Sequence, residues 1–187
     1  NDWKVVGYDA LTNYYDVNVG GTAILLRAME RIDCTKIVFS SSATVYGLPQ
    51  YLPCDEKHPL KPINPYGRTK LMGEELLRDW VKANKKRSSI ALRYFNPVGA
   101  DASGKIGEHS KDTPNNLMPY ISQVAVGKRD FLKVFGDDYS TPDGTGVRDF
   151  IHVQDLAHAH AVAVQKIDNF SDFEIFNIGT GYGVSVK

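Results

Sequence analysis

The chain has 187 residues, 42% hydrophobic and 24% charged, and its 22 Lys and Arg balance 22 Asp and Glu to a formal charge of zero. This ordinary, balanced composition excludes a disordered or collagen-like chain and a strong electrostatic hold on nucleic acid or an anionic membrane. The apolar runs fall far short of the roughly 20 residues of a membrane span, NDWKVVGYDA lacks a signal-peptide pattern, and Cys34 and Cys54 give neither a disulfide framework nor metal spacing, which suits a reducing cytoplasm.

The chain order alternates helix and strand. A helix is predicted from about Tyr14 to Arg31, with Val17, Ile24, Leu25 and Ala28 as its apolar face. Lys36 to Ser40 reads as a short buried strand running straight into small polar residues. Prolines at 49, 53, 59, 62 and 65 make residues 46–65 a loop. A helix follows over about 66–84, closed by the basic run Lys85-Lys86-Arg87, a solvated end favoured by the helix dipole. SSIALRYFN is a second buried strand, and a Gly- and Asp-rich stretch occupies 99–113. PNNLMPYISQVAVG carries a helix with Asn115 near its start and Gly127 just past its end. A strand is expected near Phe131–Phe135, then the turn-rich GDDYSTPDGTG, strand-like RDFIHV, helical QDLAHAHAVAVQKI, strand FEIFNI, and GVSVK as the first residues of a helix. Buried, non-alternating strands between helices argue for an α/β fold with a parallel sheet. The shift to long loops after Asn96 marks the expected domain boundary.

The strongest chemical signal is PYGRTK. A Tyr and a Lys four apart share one helix face, and an adjacent ammonium favours the phenolate. Lowering a phenol from about 10 to near neutrality needs a fall of roughly 3 units, or about 4 kcal/mol. One Lys in a partly dry site, helped by a second cation, is a reasonable source. Ahead of it, the strand TKIVF ends in SSSATVYG. Hydroxyls at the C-terminal end of a parallel strand stand where open α/β sheets bind ligands; in a plain turn they would only satisfy backbone groups. Other patterns carry less. GTGYGV has Val184 where a dinucleotide fingerprint needs its third Gly, and DDYSTPDGTG lacks the ligand spacing of a calcium loop. His158 and His160 point apart on a helix and, with His152, form no metal cluster; Asn169-Phe170-Ser171 is a glycosylation sequon in letters only.

Together VNVGGT, FSSSATVYG, PYGRTK, LRYFNPVGA, NNLMPYI and GTGVRDFIHVQDLAHAH, in that order from about Trp3 to Val186, resemble the UDP-hexose 4-epimerases of the extended short-chain dehydrogenase/reductase family. The resemblance implies a partial Rossmann-like doubly wound parallel sheet with part of a smaller substrate domain. Residues 1–96 would be the remainder of an NAD-binding domain without its first βαβ unit. Residues 97–187 would be a partial UDP-sugar-binding region, with 148–166 packing back on the first domain. It implies Tyr66 as the active-site base, Lys70 as the lysine that lowers its pKa, and Ser42 as the hydroxyl bridging sugar and Tyr. Lys4, Ser40, Tyr66, Lys70, Tyr94 and Phe95 would meet NAD, although the residues after Lys4 depart from the family pattern. Ser42, Asn96, Asn116, Leu117, Phe135 and Arg148 would meet the UDP-sugar, with Arg148 clamping the diphosphate as a bidentate guanidinium does; a salt bridge to Asp149 is its plainer role. Asn18 matches a block with a partly structural role, and Phe150 replaces the Tyr of many relatives.

The implied reaction is UDP-glucose/UDP-galactose interconversion through a 4-keto sugar, in a cytoplasmic enzyme that is a homodimer at full length and has no nucleic acid, membrane or metal partner. A nucleotide-sugar 4,6-dehydratase would need an Asp-Glu pair where Ala43 and Thr44 stand. No Gly-rich phosphate-binding turn precedes Tyr14, so the chain is expected to be an internal piece that binds NAD poorly by itself.

Overall fold

A computed structural model describes residues 12–108, 114 and 116–187. The chain divides into two compact units, one built from residues 1–95 and 158–178, the other from 96–157 and 179–187.

The first unit holds a parallel sheet. Strand β1 (Lys36–Ser40) pairs with β2 (Ser88–Tyr94), and β2 pairs on its other edge with β5 (Phe173–Ile178). Helix α1 (Gly21–Arg31), entered through a π-helical segment Tyr15–Gly20, and helix α2 (Pro65–Lys82) cover one face. The pleat explains the layering, because successive side chains point to opposite faces. Ile37 and Phe39 face Leu26, Met29, Leu77, Trp80 and Val81 of the two helices. Val38 faces the opposite way and packs with Ile90 and Leu92 against Ala163 and Ile167. Ala163 belongs to helix α4 (Val153–Lys166), whose second half lies in this unit. With both faces covered, β2 is buried along nearly its whole length. The α/β parallel-sheet class read from the sequence is the one observed.

The second unit contains β3 (Asn96–Val98) parallel to β4 (Val147–His152), β6 (Gly183–Ser185) antiparallel to β4, and helix α3 (Leu117–Ala125). Gly127, at φ 73°, closes α3 in the left-handed conformation that suits the residue after a helix end.

Three expectations are corrected. The apolar face expected for the helix from about Tyr14 to Arg31 is solvent-exposed, with Val17 of the π-helical segment at 69% and Ile24 and Leu25 of α1 at 61% and 49%. The buried stripe is Thr22, Leu26 and Met29, because α2 packs on that side. Residues 131–135 form no strand; the segment has no ladder partner and leaves Phe135 82% exposed. GVSVK does not begin a helix, since residues 183–185 pair with 147–149 as β6.

Candidate functional site

The first unit assembles Ser42, Tyr66 and Lys70 through the start of α2. The Asn64 side chain accepts from the Gly67 amide at 2.8 Å as the helix N-cap, and Pro65 fits the first helical position, where its missing N–H costs nothing. Tyr66 therefore sits in the first turn, and Lys70 one turn on. The Lys70 Nζ donates to the Ser40 carbonyl at 2.9 Å and lies 5.6 Å from the centre of the Tyr66 ring. Gly67 permits the close approach: a Cβ there would stand 2.6 Å from the Thr44 carbonyl oxygen.

Each residue of the serine triplet has a different partner. The Ser40 Oγ hydrogen-bonds the His160 Nε2 at 2.8 Å, while the Ser41 Oγ donates to Glu74. Ser42 is buried and extended, accepts from the Thr44 amide and hydroxyl, and shares a side-chain hydrogen bond with the Tyr66 phenol. Tyr14 packs edge-on against Tyr66 at 5.8 Å between ring centres, and the Asn18 amide donates to Thr69, whose hydroxyl donates to the Tyr66 carbonyl. Asn18 thus ties the π-helical segment ahead of α1 to the start of α2, a structural role.

The electrostatics differ from the sequence expectation. Burial pushes the Tyr66 phenol up to about 12, Tyr94 adds to the rise, and only the Ser42 hydroxyl works against it. The Lys70 ammonium is itself pulled down by burial. Its hydrogen bond goes to a backbone carbonyl, and it lies by the faces of the Tyr66 and Phe39 rings. Burial and the Tyr94 hydroxyl thus hold the proton on the Tyr66 phenol.

Behind the site lies a buried network that the sequence reading missed. Arg93 of β2 grips Glu74 of α2 in a fork of 2.9 and 2.6 Å, both side chains 1% exposed. Arg93 also donates to the Tyr46 hydroxyl at 3.1 Å, and Tyr46 donates to Asn177 on β5 at 2.6 Å. The buried His58 accepts the Gln50 amide on Nε2 and faces the Pro59 carbonyl with Nδ1, pinning the proline-rich loop. A charged residue inside the apolar run SIALRYF was the available signal for this network.

The second unit brings Asn96, Asn116, Leu117, Phe135 and Arg148 to the wall of one cleft of about 290 Å³. Lys133, Tyr139 and Phe150, absent from the expected set, share the lining. Arg148 does not pair with Asp149. That carboxylate instead accepts from the Thr180 amide and hydroxyl and from the Gly181 amide, at 2.7–2.9 Å. The Arg148 guanidinium donates to the Val147 carbonyl at 2.8 Å and has no ion-pair partner among the described residues. The cleft therefore presents two cations, two carboxamides and aromatic walls, a donor set suited to a phosphorylated ligand with a flat base. Tyr94 and Phe95 lie at the end of β2 in the first unit, and Tyr94 shares a hydrogen bond with Tyr66. Lys4 lies outside the described residues. No group of three or more His, Cys, Asp or Glu side chains able to hold a metal occurs among the described residues, and no helix among them is long and apolar enough to cross a membrane.

Residues 7–179 match the NAD dependent epimerase/dehydratase family. The chain belongs to that family. This epimerase/dehydratase chain is 57% identical over 174 residues to UDP-glucose 4-epimerase GEPI48 of Cyamopsis tetragonoloba, an alignment covering 92% of the chain and 50% of the relative. It is 57% identical over 173 residues to the UDP-glucose 4-epimerase of Bacillus subtilis (strain 168), covering 92% and 51%. Among solved structures it is similar to the UDP-glucose 4-epimerase of Bifidobacterium longum in complex with NAD+ and UDP, with a TM-score of 0.89 and 50% identity over 93% of this chain and 52% of that one. It is also similar to the Stenotrophomonas maltophila enzyme with bound NAD and formylated UDP-arabinopyranose, at a TM-score of 0.90, 49% identity, and 95% and 53% coverage. The chain spans about half the length of the curated relatives it matches. The family's NAD dependence agrees with the cofactor expected from the sequence.

Proposed function

We propose that this chain supplies the proton-transfer and nucleotide-anchoring residues of a UDP-hexose 4-epimerase that interconverts UDP-glucose and UDP-galactose through a 4-keto sugar. The observation that carries the reading is the joint placement of Ser42, Tyr66 and Lys70 at the C-terminal end of a parallel strand. The residues present also fit a nicotinamide cofactor. Lys70 is largely buried and has one hydrogen-bond acceptor among the described residues, the Ser40 carbonyl, so two of its N–H donors remain for ribose hydroxyls. Bound NAD+ supplies a hydride acceptor with positive charge on its nicotinamide ring.

The chain's own part is proton transfer and anchoring. Tyr66 takes the proton of the sugar 4-hydroxyl, directly or through Ser42, and returns it after the sugar has turned over. Burial favours the protonated phenol, so the base form must be drawn out by cations, of which Lys70 is the one on the same helix face. In the second unit Arg148 serves the diphosphate as a fork, free of Asp149, with Asn96, Asn116, Leu117 and Phe135 around the nucleotide. Firm hold on the nucleotide, with few contacts to the hexose, leaves the keto sugar able to present either face. A homodimer in the cytoplasm is the proposed assembly and place, tested by light scattering and fractionation. The functional test adds UDP-galactose and NAD to the complete protein and follows UDP-glucose by chromatography. No conversion, at protein concentrations that bind both ligands, would reject the reading.

A further inference from the structure

The serine triplet is held by successive turns of one helix. The Thr44 carbonyl lies against Gly67, the Ser40 carbonyl accepts from Lys70, and the Ser41 hydroxyl donates to Glu74. Positions 67, 70 and 74 fall on one face of α2, the face that also begins with Tyr66. Ser41 is fully buried, so its hydroxyl meets Glu74 and not a ligand. The Glu74 carboxylate cannot swing, because Arg93 holds both its oxygens from β2. A buried ion pair adds little net stability over a well-packed apolar pair, since desolvation consumes most of its attraction. What this pair does provide is an acceptor oxygen fixed between strand and helix.

Resting on the epimerase reading, we propose that Ser41 and Glu74 are positioning residues that set the spacing between the Ser42 hydroxyl and the Tyr66 phenol. Ser42 follows Ser41 directly, and Tyr66 lies two turns before Glu74 on the same helix. The Ser41–Glu74 bond therefore clamps the two proton-carrying groups to one frame. Neither residue touches the sugar; both act through Ser42. A displacement of about 0.5–1 Å in such a pair is enough to lose most of a proton-transfer contribution.

The test uses Ser41→Ala in the complete protein, because it removes the tie while leaving the Glu74–Arg93 pair intact. The expected result is a kcat for UDP-galactose lower by about tenfold or more, a KM within about twofold of wild type, and an acid limb of the kcat–pH profile moved to higher pH as Tyr66 loses its Ser42 bond. Glu74→Gln, which keeps an acceptor oxygen for the Ser41 hydroxyl, stays closer to wild type in kcat and pH profile than Ser41→Ala does. For Ser41→Ala, an unshifted pH profile with wild-type kcat overturns the proposal, and so does a kcat loss matched by an equal rise in KM. If the wild-type protein does not epimerise UDP-galactose, the functional reading has failed, and the crystal structure of Ser41→Ala decides the positioning role. A Ser42–Tyr66 separation widened by about 0.5 Å or more upholds it; an unchanged separation overturns it.

Discussion

Gly67→Ala sets two effects of known size against each other. Alanine in a helix interior is favoured over glycine by about 1 kcal/mol, so on propensity alone the change would stabilise α2. The new Cβ, however, would lie 2.6 Å from the Thr44 carbonyl oxygen, 3.1 Å from its carbon and 3.2 Å from the Pro62 Cβ. Ordinary contact begins at 3.4 Å, so the helix must retreat by about 0.8 Å from a backbone atom that no rotamer change can move. Overpacking of this kind costs about 1–3 kcal/mol. The net loss is up to about 2 kcal/mol, or a Tm lower by up to about 8 °C for a domain of this size. Function should suffer more than stability, since the retreat opens the gap between the Tyr66 turn and the Ser42 turn, and kcat falls by about a hundredfold. Scanning calorimetry and UDP-galactose turnover on the complete protein read the two effects separately. A variant with raised Tm and wild-type kcat would refute the close-approach argument.

The other predictions concern separate parts of the site. Tyr66→Phe lowers turnover by about a thousandfold or more while UDP binding, measured by calorimetry, stays within a few-fold. Arg148→Ala weakens UDP binding by about 2–3 kcal/mol and Arg148→Lys recovers only part of it, because an ammonium lacks the fork; equal binding by all three proteins would remove Arg148 from the diphosphate role. Arg93→Met leaves the Glu74 carboxylate buried without its partner and destabilises by about 3–5 kcal/mol, read by denaturant unfolding. Raising pH tests the burial of Tyr66. Its folded value is pushed to about 12 from 10.0, so between these values the unfolded chain gives up its proton first. The stability this group contributes is complete below pH 10 and is lost as pH rises toward 12. Comparing alkaline unfolding of wild type and Tyr66→Phe isolates that loss, and identical curves would contradict it.

Much of the site was legible because its residues are close in sequence. A strand-end hydroxyl run and Tyr-x-x-x-Lys are local patterns, and a helix or strand period alone places their side chains. The cleft residues were reached by resemblance, since Asn96, Phe135 and Arg148 meet only through the pairing of β3 with β4 and the loop between. What escaped was set by long-range packing. Which face of α1 is buried depends on where α2 lies, so Leu26 and Met29 face inward while the equally apolar Ile24 and Leu25 do not. GVSVK became a strand because β4 offers it a ladder edge. The burial and the Tyr94 hydroxyl that raise the Tyr66 phenol are not legible in Tyr-x-x-x-Lys, because they come from packing against β2, 28 residues on.

The sheet order has a consequence for biosynthesis. Strand β2 gains its first neighbour early, from β1, but its other neighbour is β5, with Ser89 opposite Phe173. At about 5–20 residues per second, ribosomal elongation leaves that inner edge uncovered for about 4–17 s. The largely apolar central strand SIALRYF thus waits with a row of unpaired amides while residues 96–157 of the second unit are made. An unpaired strand edge of this kind is a template for aggregation, and residues 173–178 close it by pairing with β2.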